Sequence, residues 1–573
     1  MNHEEYEALK PEEQERVFHQ SSFREKGDLI LRSHYPERLA QSLTQEELYL
    51  VTREMDLEER SEIIRFANLQ QLVFISDIDC WKKDRIQPQG FVRWLETLKA
   101  ADEKRLLAWL VEMDYEAVVS GFKQLVEVLK PEWEYPSDEM LGDRPYFTLD
   151  QQYFVSVEEE NFETVRRAIE ILYENHRGRY VAILEGILSE MEDVLEEEAF
   201  RKREGRLADL GFPDPETAHK IYRPISPEEF EAFPKHTGRR PEGDVKDQQE
   251  WLTSPSGRRP VHYPVLWSEE KLFLDQVLLF FKQENRELAE GIEEELAWLS
   301  NKVLACEGFD FSSEERVRRG TERVRRFLNI GLEALSGLDI SRAREILRER
   351  WLETVFRYGV TKLLEIRDFA TSVLQTHWKG SAKEFLDVLP VPFEPIFQGL
   401  LKTIPECYDA EALEHPDQLR DFKTLDEIEK AGRAVLQMEA LLEWLNHAWP
   451  DFPRALPLIS TLGTVFAWFI LQEKKSPQAL TVGDLSRFLE TAFEQKGAGR
   501  FLASRAKEKF LMSCFSIEHQ ELLRPLWALI FQELEDEIGR LDKAQAVGPQ
   551  FVSSLWLAEK PAGKIAKKRN RPK

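Results

Sequence analysis

The chain has 573 residues, 42% of them hydrophobic and 32% charged, with 35 Phe and 14 Trp. That aromatic load argues against a disordered chain, and the length exceeds what one hydrophobic core usually organises, so two or three packed units are expected. The formal charge of −27 and a pI of about 5.1 create a field that repels nucleic acid and anionic lipid over most of the surface.

The opening run, MNHEEYEALKPEEQERVF, is charged from its third residue and lacks the apolar stretch of a secretory signal, so a cytoplasmic location is expected for a chain whose first 28 residues form an N-terminal segment. Residues 29–135 read as an N-terminal helical array. Leu48, Val51 and Met55, then Ile63 and Ile64, fall on spaced apolar faces with a break near Asp56, and residues 104–129 repeat that alternation of short amphipathic pieces. The two stretches share a phrase, Met55-Asp56-Leu57-Glu58 and Met113-Asp114-Tyr115-Glu116. Short helices with acidic turns between them are what a solenoid-like array requires.

Residues 136–230 read as a further helical region crossed by one extended segment. PYFTLDQQYFVSV (145–157) is the one stretch with strand character, and it predicts a short β-hairpin at most. A helical pair is expected over about 158–203. Gly211 suits a helix stop, and Asp214 before Pro215 reads as the N-cap and first residue of the next helix. From 231 to 265 proline, glycine and mixed charge without apolar periodicity predict a linker or long surface loop.

A central helical domain is expected over 266–388, and a C-terminal helical domain over 389–557 after the proline-rich LPVPFEPIF. Its predicted helices are 424–448, 455–472 and 482–497, the last with Asp484 near its start and Gly497 near its end. Residues 455–472, ALPLISTLGTVFAWFILQ, lack any charge and approach the length of a membrane span, but Pro457, Gly463 and the hydroxyl residues dilute the run. A buried core helix is the expectation, with no membrane insertion. Residues 558–573 form a basic tail whose composition predicts disorder. The fold class is therefore all-α: a multi-lobed helical bundle or array.

Several phrases stand out together: DIDCWKKDR (77–85), PYFTLDQQYF (145–154), GRLADLGFPDPETAHKIYRPISPEEF (205–230), LNIGLEALSGLDISRAREIL (328–347) and DLSRFLE (484–490). On these the chain resembles an uncharacterised family of large helical bacterial proteins, domain of unknown function 6178, over about residues 28 to 557. The resemblance implies a whole-length helical protein and brings no activity, substrate or cofactor.

The chemistry-bearing motifs are missing. There is no Walker-type phosphate loop, no serine-hydrolase elbow and no zinc-protease helix. Gly497-Ala498-Gly499 lacks the third glycine of a dinucleotide turn and follows a helical pattern. Cys80, Cys306, Cys407 and Cys514 form no CxxC pair, which argues against a zinc knuckle or a redox dithiol. Glu216-Thr217-Ala218-His219 is half of a di-iron signature that needs a second copy and two further glutamates. No cofactor, metal or catalytic residue is assigned.

Three basic features remain as candidate contact sites. In 314–328, EERVRRGTERVRRFL, the phrase Glu-Arg-Val-Arg-Arg recurs after seven residues, about two helical turns. That spacing places Arg316, Arg319, Arg323 and Arg326 on neighbouring faces while Val317, Val324 and Phe327 point inward. Such a stripe can grip phosphates or carboxylates, or be satisfied within the chain by Glu315, Glu322 or the acidic segment Glu185–Glu198. The second feature is Gly-Arg-Arg-Pro occurring twice, with Arg239, Arg240, Arg258 and Arg259. The third is the tail, with Lys567, Lys568 and Arg569 at its centre, able to make weak nucleic-acid contact. The leading expectation is a non-catalytic cytoplasmic scaffold or adaptor that binds another protein. The alternatives are a nucleic-acid-associated protein using the arginine stripe and tail, and an enzyme whose carboxylates are lost among 105 acidic residues.

Overall fold

A computed structural model describes residues 21–131 except 54, 144–235, 271–307 except 285, 314–411 except 379, 418–471, 478–539 except 497 and 498, and 552–558, with residues 6, 13, 14, 17 and 18 besides. Among the described residues there are 25 α-helices and a few short antiparallel strand pairs, so the chain is predominantly all-α, as its periodicity predicts. It divides into two compact units: residues 1–223, 227–328 and 338–357 form the first, and residues 224–226, 329–337 and 358–573 the second.

The first unit opens with eight short helices: α1 (Phe23–Arg32), α2 (Pro36–Ser42), α3 (Gln45–Arg53), α4 (Leu57–Phe66), α5 (Leu69–Asp79), α6 (Pro88–Ala101), α7 (Glu103–Glu112) and α8 (Tyr115–Lys123). Their brevity is written at the junctions. Ser33, Leu43, Ala67 and Met113 take extended backbone at helix C-termini, and polar side chains restart the helix at once. Asp56 accepts from the Glu59 N–H, Asn68 and Gln71 form a reciprocal capping box, and Asp102 accepts from the Lys104 N–H. Each such cap satisfies amides that a helix start leaves without partners. The helices then pack on their next-but-one neighbours: α1 on α3, α2 on α4, α3 on α5, α4 on α6, α5 on α7 and α6 on α8. This is the stacking of a solenoid-like array. Trp94 and Trp109 lie edge to face at 6.3 Å in its interior, and Phe91 meets Phe122 at 5.3 Å.

The β content exceeds the single hairpin expected from sequence. β1 (Trp81–Lys82) and β2 (Arg85–Ile86) pair as a hairpin between α5 and α6. β3 (Val126–Leu129), β4 (Tyr146–Phe147) and β5 (Phe154–Val157) form a three-stranded antiparallel sheet in the order β3-β5-β4, with Val126 opposite Val157 and Tyr146 opposite Ser156. The 145–157 segment supplies two of these strands. β3 was hidden because LVEVL continues the apolar pattern of the helix before it, and its strand state comes from pairing with β5, about thirty residues away. The predicted helical pair that follows is three helices: α9 (Phe162–Asn175), α10 (Arg177–Ser189) and α11 (Glu192–Asp209).

Gly211 ends α11 with φ +86°, a left-handed conformation that glycine adopts without strain. Asp214 then caps α12 (Pro215–His219) by accepting from the Thr217 N–H. The chain continues with α13 (Pro227–Ala232), α14 (Phe273–Glu284), α15 (Arg286–Cys306), α16 (Glu314–Ser336), α17 (Ile340–Glu349) and the long α18 (Leu352–His377); α16 from residue 329 and α18 from residue 358 belong to the second unit. The predicted linker at 231–265 lies outside the described residues from 236 onward.

In the second unit α19 (Ala382–Val388) and α20 (Phe393–Leu400) lead to the hairpin β6 (Glu406–Tyr408) and β7 (Leu419–Asp421), then α21 (Leu425–Ala448) and α22 (Leu458–Leu471). α23 (Val482–Ala492) stops five residues short of Gly497, because Phe493–Lys496 becomes β8, paired with β9 (Gly499–Leu502). Gly499 thus opens a strand, and Gly497 lies outside the described residues. α24 (Ser504–Cys514) and α25 (Ile517–Glu537) complete the helices. Rings of Phe466, Phe510, Trp527 and Phe531 pack at 4.6–5.8 Å around their common interior.

Within the apolar run 455–472, Leu458–Leu471 is a core helix. Residues 458 and 460–467 of α22 are buried, and its small-residue face receives the backbone of residues 552–558. Ser460 donates to the Ser553 carbonyl, and the Trp556 N–H donates to Thr464 Oγ1 at 2.8 Å. A Cβ at Gly463 would collide with the Ser554 carbonyl oxygen, so close approach requires glycine there. Among the described residues no helix is long and apolar enough to cross a membrane.

Candidate functional site

The arginine helix keeps its predicted inner face and loses its single outer one. Val317, Val324 and Phe327 are buried, as the seven-residue spacing requires. Arg316 and Arg319 are exposed, but Arg323 and Arg326 are 14% and 10% exposed and form ion pairs with Glu307 and Glu322. Arg325, which the stripe did not include, is buried against Asp275 at 2.6 Å. All four arginines of the stripe have partners within the chain, so an anion contacting this helix has to compete for them. Arg239, Arg240, Arg258 and Arg259, and Lys567, Lys568 and Arg569 in the tail, lie outside the described residues.

A dense polar cluster among the described residues joins two of the segments that stand out in the sequence, 77–85 and 205–230. Arg206 on α11 donates from Nε and Nη2 to both oxygens of Asp77 at 2.8 Å, and from Nη1 to Asp114 at the start of α8. Arg203, one turn earlier, donates to the Asp77 carbonyl at 2.7 Å and lies over the Trp81 ring at 5.2 Å. Beside it, Asp79 accepts from Tyr49 at 2.9 Å and pairs with Arg60. Burial pushes the Asp77 carboxyl up against the pull of Arg206. Burial also pulls Arg206 down, but Asp77 and Asp114 outweigh it and hold the guanidinium firmly charged. Each group is spent on another group of the same cluster, so it fastens α5, α8 and α11 together and offers little to a ligand.

The other chemical candidates are as closed. Glu216 and His219 sit on the five-residue α12, and among the described residues no group of three or more His, Cys, Asp or Glu is placed to hold a metal ion. The four cysteines are free. Burial pushes the Cys306 and Cys514 thiols up to about 11 and Cys407 up to about 12, and Cys80 well above its usual value. Such thiols are poor nucleophiles at neutral pH.

One feature that sequence reasoning missed stands at the corner between α10 and α11. Met191 is 70% exposed, Leu188 40% and Val194 45%. Val181 lies two turns earlier on α10 and is also exposed, as is Leu129 at the end of β3. The Lys130–Glu185 ion pair ties this end of β3 to α10. The corner is firmly built. Lys123 donates to the carbonyls of Ile187 and Glu190 at 2.6 and 2.9 Å, closing the C-terminus of α10, and Ile183, Leu184, Ile187 and Leu195 are buried beneath. In the sequence this corner read as an acidic segment. Its signal was the apolar residues at 188, 191 and 194, whose spacing of three matches neither an inward stripe nor a loop.

Fold and site together define a helical protein with a solenoid-like N-terminal array, closed polar clusters and an exposed apolar corner. The chain belongs to the family of unknown function DUF6178, whose model matches residues 3–558. No curated protein and no solved structure matches the chain.

Proposed function

We propose that the protein is a non-catalytic cytoplasmic scaffold that holds another protein on the α10–α11 corner. The observation that carries this reading is the exposure of Leu188, Met191 and Val194 on a rigid, capped helix junction. Large apolar groups left in water close together in the chain on a well-packed frame cost solubility, and apolar groups exposed in this way are characteristic of protein contact surfaces. Free, deeply protonated thiols support a reducing compartment. The nucleic-acid alternative has less support, because Arg323 and Arg326 are already paired with carboxylates and Arg316 and Arg319 also have partners within the chain.

The test is a tagged full-length pull-down from the native cell, comparing wild type with Leu188→Ser/Met191→Ser/Val194→Ser. The expected result is a stoichiometric protein present with wild type and lost with the variant, while circular dichroism and melting temperature stay unchanged. Recovery of the same proteins by both forms would overturn the reading.

A further inference from the structure

We infer that the partner segment seated on the α10–α11 corner is a basic amphipathic helix. This inference rests on the corner being a docking site and adds the chemistry of what docks there.

Charge complementarity carries it. The carboxylates of Glu190, Glu192, Asp193 and Glu197 surround Leu188, Met191 and Val194 in the chain and form no ion pair among the described residues. The nearby cations are committed elsewhere: Lys130 to Glu185, Arg201 to Glu198, Lys202 to Glu116, and Lys123 to backbone carbonyls. The crowding of charge is felt by Glu196. Burial pushes its carboxyl up, and Glu192 and Asp193 push it further against the pull of Arg85. Unrelieved negative charge packed around exposed apolar groups favours an occupant that brings apolar and positive groups together.

Geometry selects a helix. Val181 and Leu188 share one face of α10, separated by seven residues and so by about 10 Å of rise, and the exposed Met191 and Val194 follow at the junction and in the first turn of α11. Two to three turns of a partner helix, with anchors at i, i+3 or i+4, and i+7, match that length. Apolar burial supplies the affinity. Rim charges, each weak in solvent, supply partner choice and association rate. An anionic membrane or a nucleic acid would meet the same acidic rim and be repelled. A second copy presenting its own corner would set unpaired carboxylates against unpaired carboxylates.

The test uses the full chain and three fluorescein-labelled helical peptides of about 18 residues, built on one leucine face. Their polar faces are lysine, glutamine or glutamate. Fluorescence anisotropy is read at about 50 and about 300 mM salt, where screening differs strongly. The lysine peptide is expected to bind at least about tenfold more tightly than the glutamine peptide at low salt, with most of that advantage lost at high salt. Glu192→Gln/Asp193→Asn/Glu197→Gln should bring the lysine peptide down to the glutamine level and leave the glutamine peptide unchanged. The serine triple variant should weaken both. Equal binding of lysine and glutamine peptides, both lost in the serine variant, would overturn the basic-helix inference and leave the docking site standing. Peptide binding indifferent to the serine variant, together with an unchanged pull-down, would remove the docking site itself. Self-association through the corner, seen by analytical ultracentrifugation as a dimer that the serine variant abolishes, would also overturn the inference.

Discussion

Replacing Arg206 by methionine should strand the buried Asp77 carboxylate. The Asp77 side chain is 1% exposed and Arg206 28%. The substitution removes both 2.8 Å bonds to Asp77 and the bond to Asp114, while Arg203 stays on the Asp77 carbonyl and keeps its weaker pull on the carboxylate. Removing one partner of a buried pair typically costs about 3–5 kcal/mol, and the solvent access of Arg206 places this case near the lower end, about 3 kcal/mol. The loss should carry a pH signature. Burial already raises Asp77 above 3.8, and without Arg206 the folded state holds its proton to still higher pH than the unfolded state does. The variant's deficit is therefore smallest in acid and grows as pH rises through the folded pKa. A second substitution, Asp77→Asn, should recover about 2 kcal/mol, because the stranded charge is gone. Hydrogen exchange reads this directly in the full-length protein, through amides of α5, α8 and α11 whose opening reports this part of the first unit. A deficit below about 1 kcal/mol, or a double variant whose cost equals the sum of the singles, would refute the assignment of this pair as a structural fastener.

Two further outcomes follow from burial and close approach. Gly463→Val drives a side chain into the Ser554 carbonyl, so it should cost about 1–3 kcal/mol and raise hydrogen exchange at residues 552–558, with Gly463→Ala milder; unchanged exchange there would show that the contact is dispensable. Glu46 is 1% exposed, one of its carboxylate oxygens has no hydrogen-bond partner among the described residues, and burial pushes it up to about 7. Because the folded state keeps this proton where the unfolded state has lost it, stability should fall as pH rises from about 4.5 to about 7 and level off above, by up to roughly 3 kcal/mol from this group. Glu46→Gln should flatten that dependence in urea titrations, and an identical slope for both proteins would count against it.

The sequence by itself determined what depends on neighbours within a turn or two. Helical periodicity set the fold class; Asp214 and Gly211 marked a helix start and stop; the seven-residue spacing in α16 predicted the buried Val317, Val324 and Phe327; and hydroxyl and glycine residues in 455–472 pointed to a core helix. These are short-range properties, carried by backbone hydrogen bonding and by which side chains share a face. Only the tertiary structure decided what depends on distant partners. β3 and β8 are strands because β5 and β9 pair with them. Arg323 and Arg326 are spent because Glu307 and Glu322 lie within reach. Arg206 meets Asp77 from 129 positions away. Exposure is decided in the same way. Leu195 and Val194 are adjacent apolar residues, and packing buries one and leaves the other in water at the corner where a partner is proposed to sit.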